Sequence, residues 1–107
     1  MFEILYYVQE DGRSPFQEWM ERLRDKVAKM RIAQRLRRIK GGNLGNMKPV
    51  GEGVLELRID VGAGYRVYCG RYGETWIVLL SGGDKSTQER DIERAKEFWA
   101  VWKRRQR

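Results

Sequence analysis

The chain has 107 residues, of which 41% are apolar, and this composition suits one folded domain with one core. Its formal charge is +7, from 22 Lys and Arg against 15 Asp and Glu, which favours a polyanionic partner such as nucleic acid, an acidic protein or an anionic membrane face. No apolar run approaches the roughly 18 residues that a membrane span needs. Histidine is absent and Cys69 is the single cysteine, so imidazole catalysis is excluded and a zinc-type metal site is not expected. We expect no cofactor.

The N-terminal segment predicts a strand followed by a short helix. Residues 2–8 are rich in Tyr, Ile and Val and lack the basic region and cleavage site of a signal peptide, so we expect a first strand and a cytoplasmic location. Ser14 is a candidate N-cap with Pro15 in the first helical position. The predicted helix covers residues 15–24, with an apolar stripe made of Phe16, Trp19, Met20 and Leu23.

A second helix is predicted over residues 26–40, ending at Gly41-Gly42. Apolar residues recur at intervals of three and predict its buried face: Val27, Met30, Ala33, Leu36 and Ile39. No acidic residue lies between Asp25 and Glu52, so the rest of the helix surface is basic. This basic surface fits three interpretations: an RNA-facing surface, a solvated face, or a docking surface for an acidic protein.

The remaining segments predict a strand meander and a last helix. A short strand is expected near residues 48–50, a strand with clean alternation over 54–61, a third over 65–69, and a central apolar strand over 75–80 that is covered on both faces. Cys69 lies inside an apolar run and is expected to be a buried hydrophobe. Ser86 and Glu89 fit a capping box that starts the last helix, whose apolar stripe comprises Ile92, Ala95, Trp99 and Trp102.

These elements predict an α+β domain: one mostly antiparallel sheet of four or five strands, packed by two N-terminal helices and one C-terminal helix. Residues 83–87 follow a strand and open a helix, as a phosphate-binding loop does, but Asp84 and Leu79 stand where that motif requires glycine. We therefore reject nucleotide hydrolysis.

Several blocks of the sequence resemble the addiction module killer proteins, a HigB-type, phage-derived branch of the RelE/ParE toxin superfamily. These blocks are Gly53–Ile59, Gly64–Tyr68, Leu79–Gln88 with Asp91, Ile92 and Ala95, Arg31-Ile32, Arg35-Leu36, Gly42–Gly45 and Lys48–Gly51. The resemblance implies a RelE-like sheet with helices on one side and cleavage of mRNA in the ribosomal A site. It also implies a neutralising antitoxin, usually a helix-turn-helix protein. The superfamily includes members that poison DNA gyrase and catalyse nothing, so fold does not fix function.

RNA cleavage of this kind needs a base for the 2′-hydroxyl, cations for the charged transition state, and help for the leaving oxygen. We predict that Glu56, Arg58, Arg66 and Lys85 converge on one exposed sheet face. Glu56 would be the base, Arg58 and Arg66 would clamp phosphate oxygens, and Lys85 would stabilise the transition state or leaving group. Further RNA contacts are predicted at Lys48, Tyr68 and Arg71, with Tyr68 stacking a base from the face that carries Arg66.

By resemblance, Arg66 matches the family's phosphate-binding arginine, and Lys85 stands where many members have a cation before the last helix. RelE-type members carry lysines on the strand that here holds Val54 and Glu56, and the histidines of many HigB-type members are absent. Glu56 can also form structural ion pairs with Arg58 or Arg66, and Lys85 can be a solvated lysine. The hypotheses are therefore a metal-independent, ribosome-dependent endoribonuclease toxin, a non-enzymatic gyrase inhibitor, or a non-toxic basic module.

Overall fold

The computed structural model describes residues 1–106, and within them an α+β fold has five strands and three α-helices in the predicted order. The elements are β1 (Glu3–Tyr6), α1 (Pro15–Arg22), α2 (Lys26–Lys40), β2 (Met47–Gly51), β3 (Val54–Ile59), β4 (Tyr65–Tyr72), β5 (Trp76–Gly83) and α3 (Gln88–Arg104), with a 3₁₀ turn at Lys85–Thr87. No helix in this part of the chain is both long enough and apolar enough to cross a membrane.

The five strands form one mixed sheet in the order β1-β5-β4-β3-β2. Strand β1 runs parallel to β5, which it can do because α1 and α2 carry the chain away between them, and the other neighbours are antiparallel. The predicted, mostly antiparallel sheet is confirmed, and its fifth strand is the short one expected near residues 48–50.

Helices cover both faces of this sheet. One face, which we call the apolar face, packs against α1 and α2 and carries Leu57, Ile59, Val67, Cys69, Ile77 and Leu79. The opposite face packs against α3, and we call it the mixed face because apolar residues such as Val54 and Val78 share it with polar ones. The expectation that all helices lie on one side is wrong, since apolar residues alternate onto both faces of the central strands and both must be covered. Cys69 is buried as predicted, which raises the pKa of its thiol to about 12.

Two glycines allow tryptophans to lie directly on the sheet, and this explains why β4 and β5 run further than predicted. A Cβ atom at Gly70 would lie 2.6 Å from ring atoms of Trp99 in α3. Gly82 leaves similar room for Trp19 of α1 on the apolar face. Glycine weakens a strand pattern in the sequence, yet here it marks close approach of a helix to the sheet.

Helix α1 begins as predicted, with the Ser14 side chain accepting a hydrogen bond from the Gln17 amide at 3.2 Å. It ends at Arg22, before the predicted residue 24, because Leu23 is extended and Asp25 already caps α2 by accepting from the Ala28 amide at 3.0 Å. The bounds of α2 are those predicted.

The predicted buried stripe of α2 is wrong. Ala28, Ile32 and Ile39 are the buried residues, whereas Val27 is 50% exposed and Met30 is 53% exposed. A strict interval of three residues drifts around a helix of 3.6 residues per turn, so it cannot keep one face over four turns. Alternating intervals of three and four, as between residues 28, 32 and 39, do remain on one face.

The predicted capping box at the start of α3 is also wrong. Asp84 accepts hydrogen bonds from the amide and hydroxyl of Ser86, so it caps the 3₁₀ turn, and α3 itself begins only at Gln88. Thr87, the residue before α3, makes no side-chain capping bond. The predicted apolar stripe of the helix is confirmed, with Ala95, Trp99 and Trp102 buried and Ile92 packed beside them.

Candidate anion-binding site at the polar end of the mixed face

Two rows of polar side chains cross the mixed face at its polar end. In the first row, Glu56 of β3 is the register partner of Lys48 on β2 and of Tyr68 on β4, and Tyr68 is the partner of Ser81 on β5. Register partners in a sheet project their side chains from the same face. The first row therefore brings Lys48, Glu56 and Tyr68 together, as the sequence predicted.

The second row lies one step along the strands. Arg58 of β3 is directly opposite Arg66 of β4, and Arg66 is opposite Gly83 of β5. Like charges directly opposite one another destabilise a sheet. Two arginines side by side are therefore an arrangement that an anion would stabilise.

Glu56 and Arg66 form a buried ion pair across the two rows. The Arg66 Nε atom lies 3.8 Å from Glu56 Oε2, and the two side chains are 4% and 3% exposed. Gln88, at the first turn of α3, donates a hydrogen bond from Nε2 to the same carboxylate oxygen at 2.9 Å. Arg66 also donates from Nη1 to the Gly64 carbonyl. The alternative of a structural bridge between Glu56 and Arg66 is thus the one that the geometry favours.

This arrangement corrects the predicted role of Glu56. An exposed face was expected, but α3 covers this part of the sheet because its first turn carries Gln88 and Asp91 onto it. The Glu56 carboxylate is engaged by Arg66 and Gln88 at the bottom of the face. As placed, it orients Arg66 and is not free to take a proton from an RNA 2′-hydroxyl.

Three cations surround this buried pair at the surface. Arg58 is 56% exposed at its side chain and approaches Asp60 at 4.0 Å, a contact at the limit of an ion pair. Lys48 and Lys85 are exposed, and the Lys85 amide contacts the Ala63 carbonyl at 3.4 Å, which holds it beside the β3–β4 turn. A groove of about 450 Å³ runs beside Lys48, Glu56 and Arg58. These cations could bind phosphate oxygens from solvent.

Tyr68 does not occupy the predicted position on the surface. Its side chain is fully buried, so the proposed stacking on a base is wrong, although it does share the face of Arg66. Burial, followed by the negative charges of Glu56 and Asp91, raises the pKa of the phenol above its ordinary value. Among residues 1–106 the hydroxyl has no hydrogen-bond partner. Tyr68 therefore stays neutral and contributes to the core.

Arg71 lies apart from the other predicted RNA contacts. It falls on the apolar face of β4, where its guanidinium lies 5.0 Å from the ring centre of Phe2 and donates to the Glu74 carbonyl at 3.4 Å. Strand alternation explains this, because an odd number of residues separates Arg71 from both Arg66 and Tyr68 when counted through the β4 bulge at Tyr68/Cys69.

Sequence reasoning missed three polar residues at this end of the sheet: Ser81, Gln88 and Asp91. Asp91 is buried and accepts a hydrogen bond from the Thr87 hydroxyl at 2.6 Å. Gln88 and Asp91 lie on the helical face that also carries Ile92 and Ala95, so polar residues on the buried stripe were the available signal. Across the residues that the structure describes, no three His, Cys, Asp or Glu side chains gather as a metal site would require.

Comparison with known proteins gives a relative without an assigned activity. No family model matches the chain. An uncharacterized protein from Haemophilus influenzae is 47% identical over 81 residues, which cover 76% of this chain and 82% of the relative. Identity at this level over most of both chains indicates common descent and a common fold. The chain belongs to the same family as this Haemophilus influenzae protein.

Proposed function

We propose that the protein is the toxin of a type II toxin–antitoxin pair, of the RelE/HigB type, and that it inhibits translation by cleaving mRNA on the ribosome. Its partners would be the ribosome with its mRNA and a cognate antitoxin, probably of the helix-turn-helix kind in this branch. The proposal rests on the sequence resemblance described above and on a RelE-like interpretation of the α+β fold. The observation that carries it is the pairing of Arg58 with Arg66 across β3 and β4.

The proposed chemistry is attack of a ribose 2′-hydroxyl on the adjacent phosphate. Arg58 and Lys85 would contact phosphate oxygens from the surface, and Lys48 would bind the neighbouring phosphate along the groove. Arg66, held by Glu56 and the Gly64 carbonyl, would place a fixed positive charge beneath the reacting group. Prearranged cations of this kind lower the free energy of a transition state that gains negative charge.

The exposed cations give a sharper test than the buried pair, because their loss should not disturb folding. We expect inducible expression of the wild type in bacteria to stop growth and to create new mRNA 5′ ends within translated frames. Arg58→Ala and Lys85→Ala should each lower cleavage by about 10²- to 10³-fold, the usual effect of removing one transition-state contact.

Arg71→Ala is the matched control, since it removes an exposed arginine of β4 that lies on the other face. It should retain full cleavage. Equal cleavage by all three folded variants would contradict the proposed site.

One observation favours a second candidate, a non-enzymatic toxin that inhibits DNA gyrase. The carboxylate expected to act as base is buried and occupied, so the exposed surface offers cations but no carboxylate base from this set. This alternative predicts growth arrest with a DNA-damage response and unchanged mRNA ends. Harmless overexpression of the folded protein would instead indicate a basic binding module.

A further inference from the structure

A second polar cleft lies at the open end of β5, on the far side of that strand from β4. Strand β1 pairs only with residues 76–79 of β5, so the edge of β5 beyond Leu79 has no strand beside it within residues 1–106. A cleft of about 230 Å³ opens there between α1 and the first turns of α3. We call it the edge cleft, and its walls include Trp19, Arg22, Ser81, Arg90 and Arg94.

Ser81 contributes an unpartnered donor to the edge cleft. The residue is only 5% exposed, and its hydroxyl has no hydrogen-bond partner among the described residues. Leaving a buried hydroxyl without a partner is unfavourable, and such groups are rare in folded proteins. The register that makes Ser81 the partner of Tyr68 does not require a serine, so folding alone does not explain the hydroxyl.

The acidic residues of the edge cleft are already engaged. Glu18 pairs with Arg13 at 3.7 Å, Asp84 accepts from the Ser86 amide at 2.8 Å, and Asp91 accepts from Thr87.

The arginines of the cleft are differently placed. Neither Arg22 nor Arg90 forms an ion pair within residues 1–106, and Arg94 only stacks over the ring of Phe98 at 5.3 Å. Arg90 and Arg94 also lie in the first two turns of α3, where the helix dipole favours negative charge. The unsatisfied groups of the cleft are therefore donors and positive charges, which fit an anion.

We propose that the edge cleft binds the phosphate group of a small phosphomonoester, such as a nucleoside 5′-monophosphate. A phosphate offers acceptor oxygens in a tetrahedral arrangement, so it can meet the Ser81 hydroxyl and guanidiniums from both helices at once. A planar carboxylate has two oxygens and serves fewer of these directions. The volume suits a phosphate with one attached sugar, and it is smaller than the usual site for a drug-sized ligand. This binding does not depend on RNA cleavage at the mixed face.

The test is a titration of ¹⁵N-labelled protein followed by NMR, with inorganic phosphate and adenosine 5′-monophosphate as probes. We expect saturable shifts at the amides of residues 81–83 and 90. Ser81→Ala should weaken binding about tenfold, the usual effect of losing one hydrogen bond to a charged group. The double variant Arg22→Gln/Arg90→Gln should abolish saturation. Ser81→Ala should remain folded, because it removes an unpartnered polar atom.

Two controls separate a site from general charge attraction. Arg31→Gln/Arg37→Gln removes the same charge from the exposed side of α2 and should bind as the wild type does. Acetate and unphosphorylated adenosine should not produce the shifts. Binding that depends equally on either pair of arginines, equal shifts with acetate or adenosine, or undiminished affinity in Ser81→Ala would each overturn the proposal. Tighter binding of the monophosphate than of inorganic phosphate would identify a nucleotide rather than the free ion as the ligand.

Discussion

The two faces of the sheet differ in what is buried beneath their helices. Under α1 and α2, the apolar face carries hydrophobic side chains along the whole length of β3, β4 and β5. Under α3, the mixed face is apolar only at one end, where Trp99 and Trp102 stack at a centroid distance of 5.4 Å. Its other end buries an ion pair and two hydroxyls that have no partner among residues 1–106.

This difference separates stability from function in the molecule. A buried ion pair adds little net stability, since desolvation of both charges offsets their attraction, and apolar residues of similar volume pack as well or better. The polar end of the mixed face is thus a costly arrangement that the rest of the core must support. The proposed anion site and the edge cleft both lie at this end, on either side of β5.

The largest expected effect follows from breaking the buried pair. Glu56→Ala leaves the Arg66 guanidinium buried without a counter-charge, so we expect a loss of about 3–5 kcal/mol in the free energy of unfolding. Urea denaturation of the purified protein measures it.

The double variant Glu56→Leu/Arg66→Met is the control for this prediction. Because it removes both charges and keeps volume, it should be within about 1 kcal/mol of the wild type, or more stable. A double variant as unstable as Glu56→Ala would mean that the pair itself holds the fold together.

A deletion on the apolar face should come next in size. Ile77 is fully buried in the α1/α2 core, so Ile77→Ala should lower the free energy of unfolding by about 2–5 kcal/mol through lost burial and a residual cavity. The same urea experiment applies, with Val27→Ala on the exposed side of α2 as control at about 0.5 kcal/mol or less. A small loss at Ile77 would show that the apolar face can collapse around the cavity.

The smallest effect is expected at the Tyr68 hydroxyl. Tyr68→Phe removes an unpartnered buried group, so stability near pH 7 should change by about 1 kcal/mol or less. The difference should appear in alkali. Since folding raises the pKa of Tyr68, its neutral form stabilises the native state fully below the unfolded pKa of about 10, and that contribution is lost as pH rises towards the folded pKa.

Thermal unfolding between pH 8 and 11 tests this prediction. Above pH 10 the wild type should lose stability more steeply than Tyr68→Phe. Parallel curves would show that the hydroxyl is not shielded from solvent in the native protein.

The sequence alone predicted most of the secondary structure, because local signals specify it. Ser14-Pro15 and Gly41-Gly42 mark helix ends through capping chemistry, and the alternation from Val54 to Ile59 assigned each residue to a face. It failed where a local pattern imitated another, as with the three-residue spacing in α2 and the Ser86–Glu89 pair.

For the candidate site, alternation along β3 and β4 correctly placed Glu56, Arg58, Arg66 and Tyr68 on one face. It could not give their depth, because burial depends on how α3 crosses the sheet. The crossing puts Gln88 on Glu56 and closes Tyr68 from solvent, leaving Arg58 and Lys85 outside.

The sequence by itself determined composition, charge, the lack of histidine, and the order and facing of the elements, since these depend on residue identity and on the periods of helix and strand. Only the tertiary structure decided which charges are buried, which acids are already paired, and that β1 ends early enough to leave the edge cleft open. Those properties arise from contacts between residues far apart in the chain, such as Glu56 with Gln88, and no local pattern encodes such contacts.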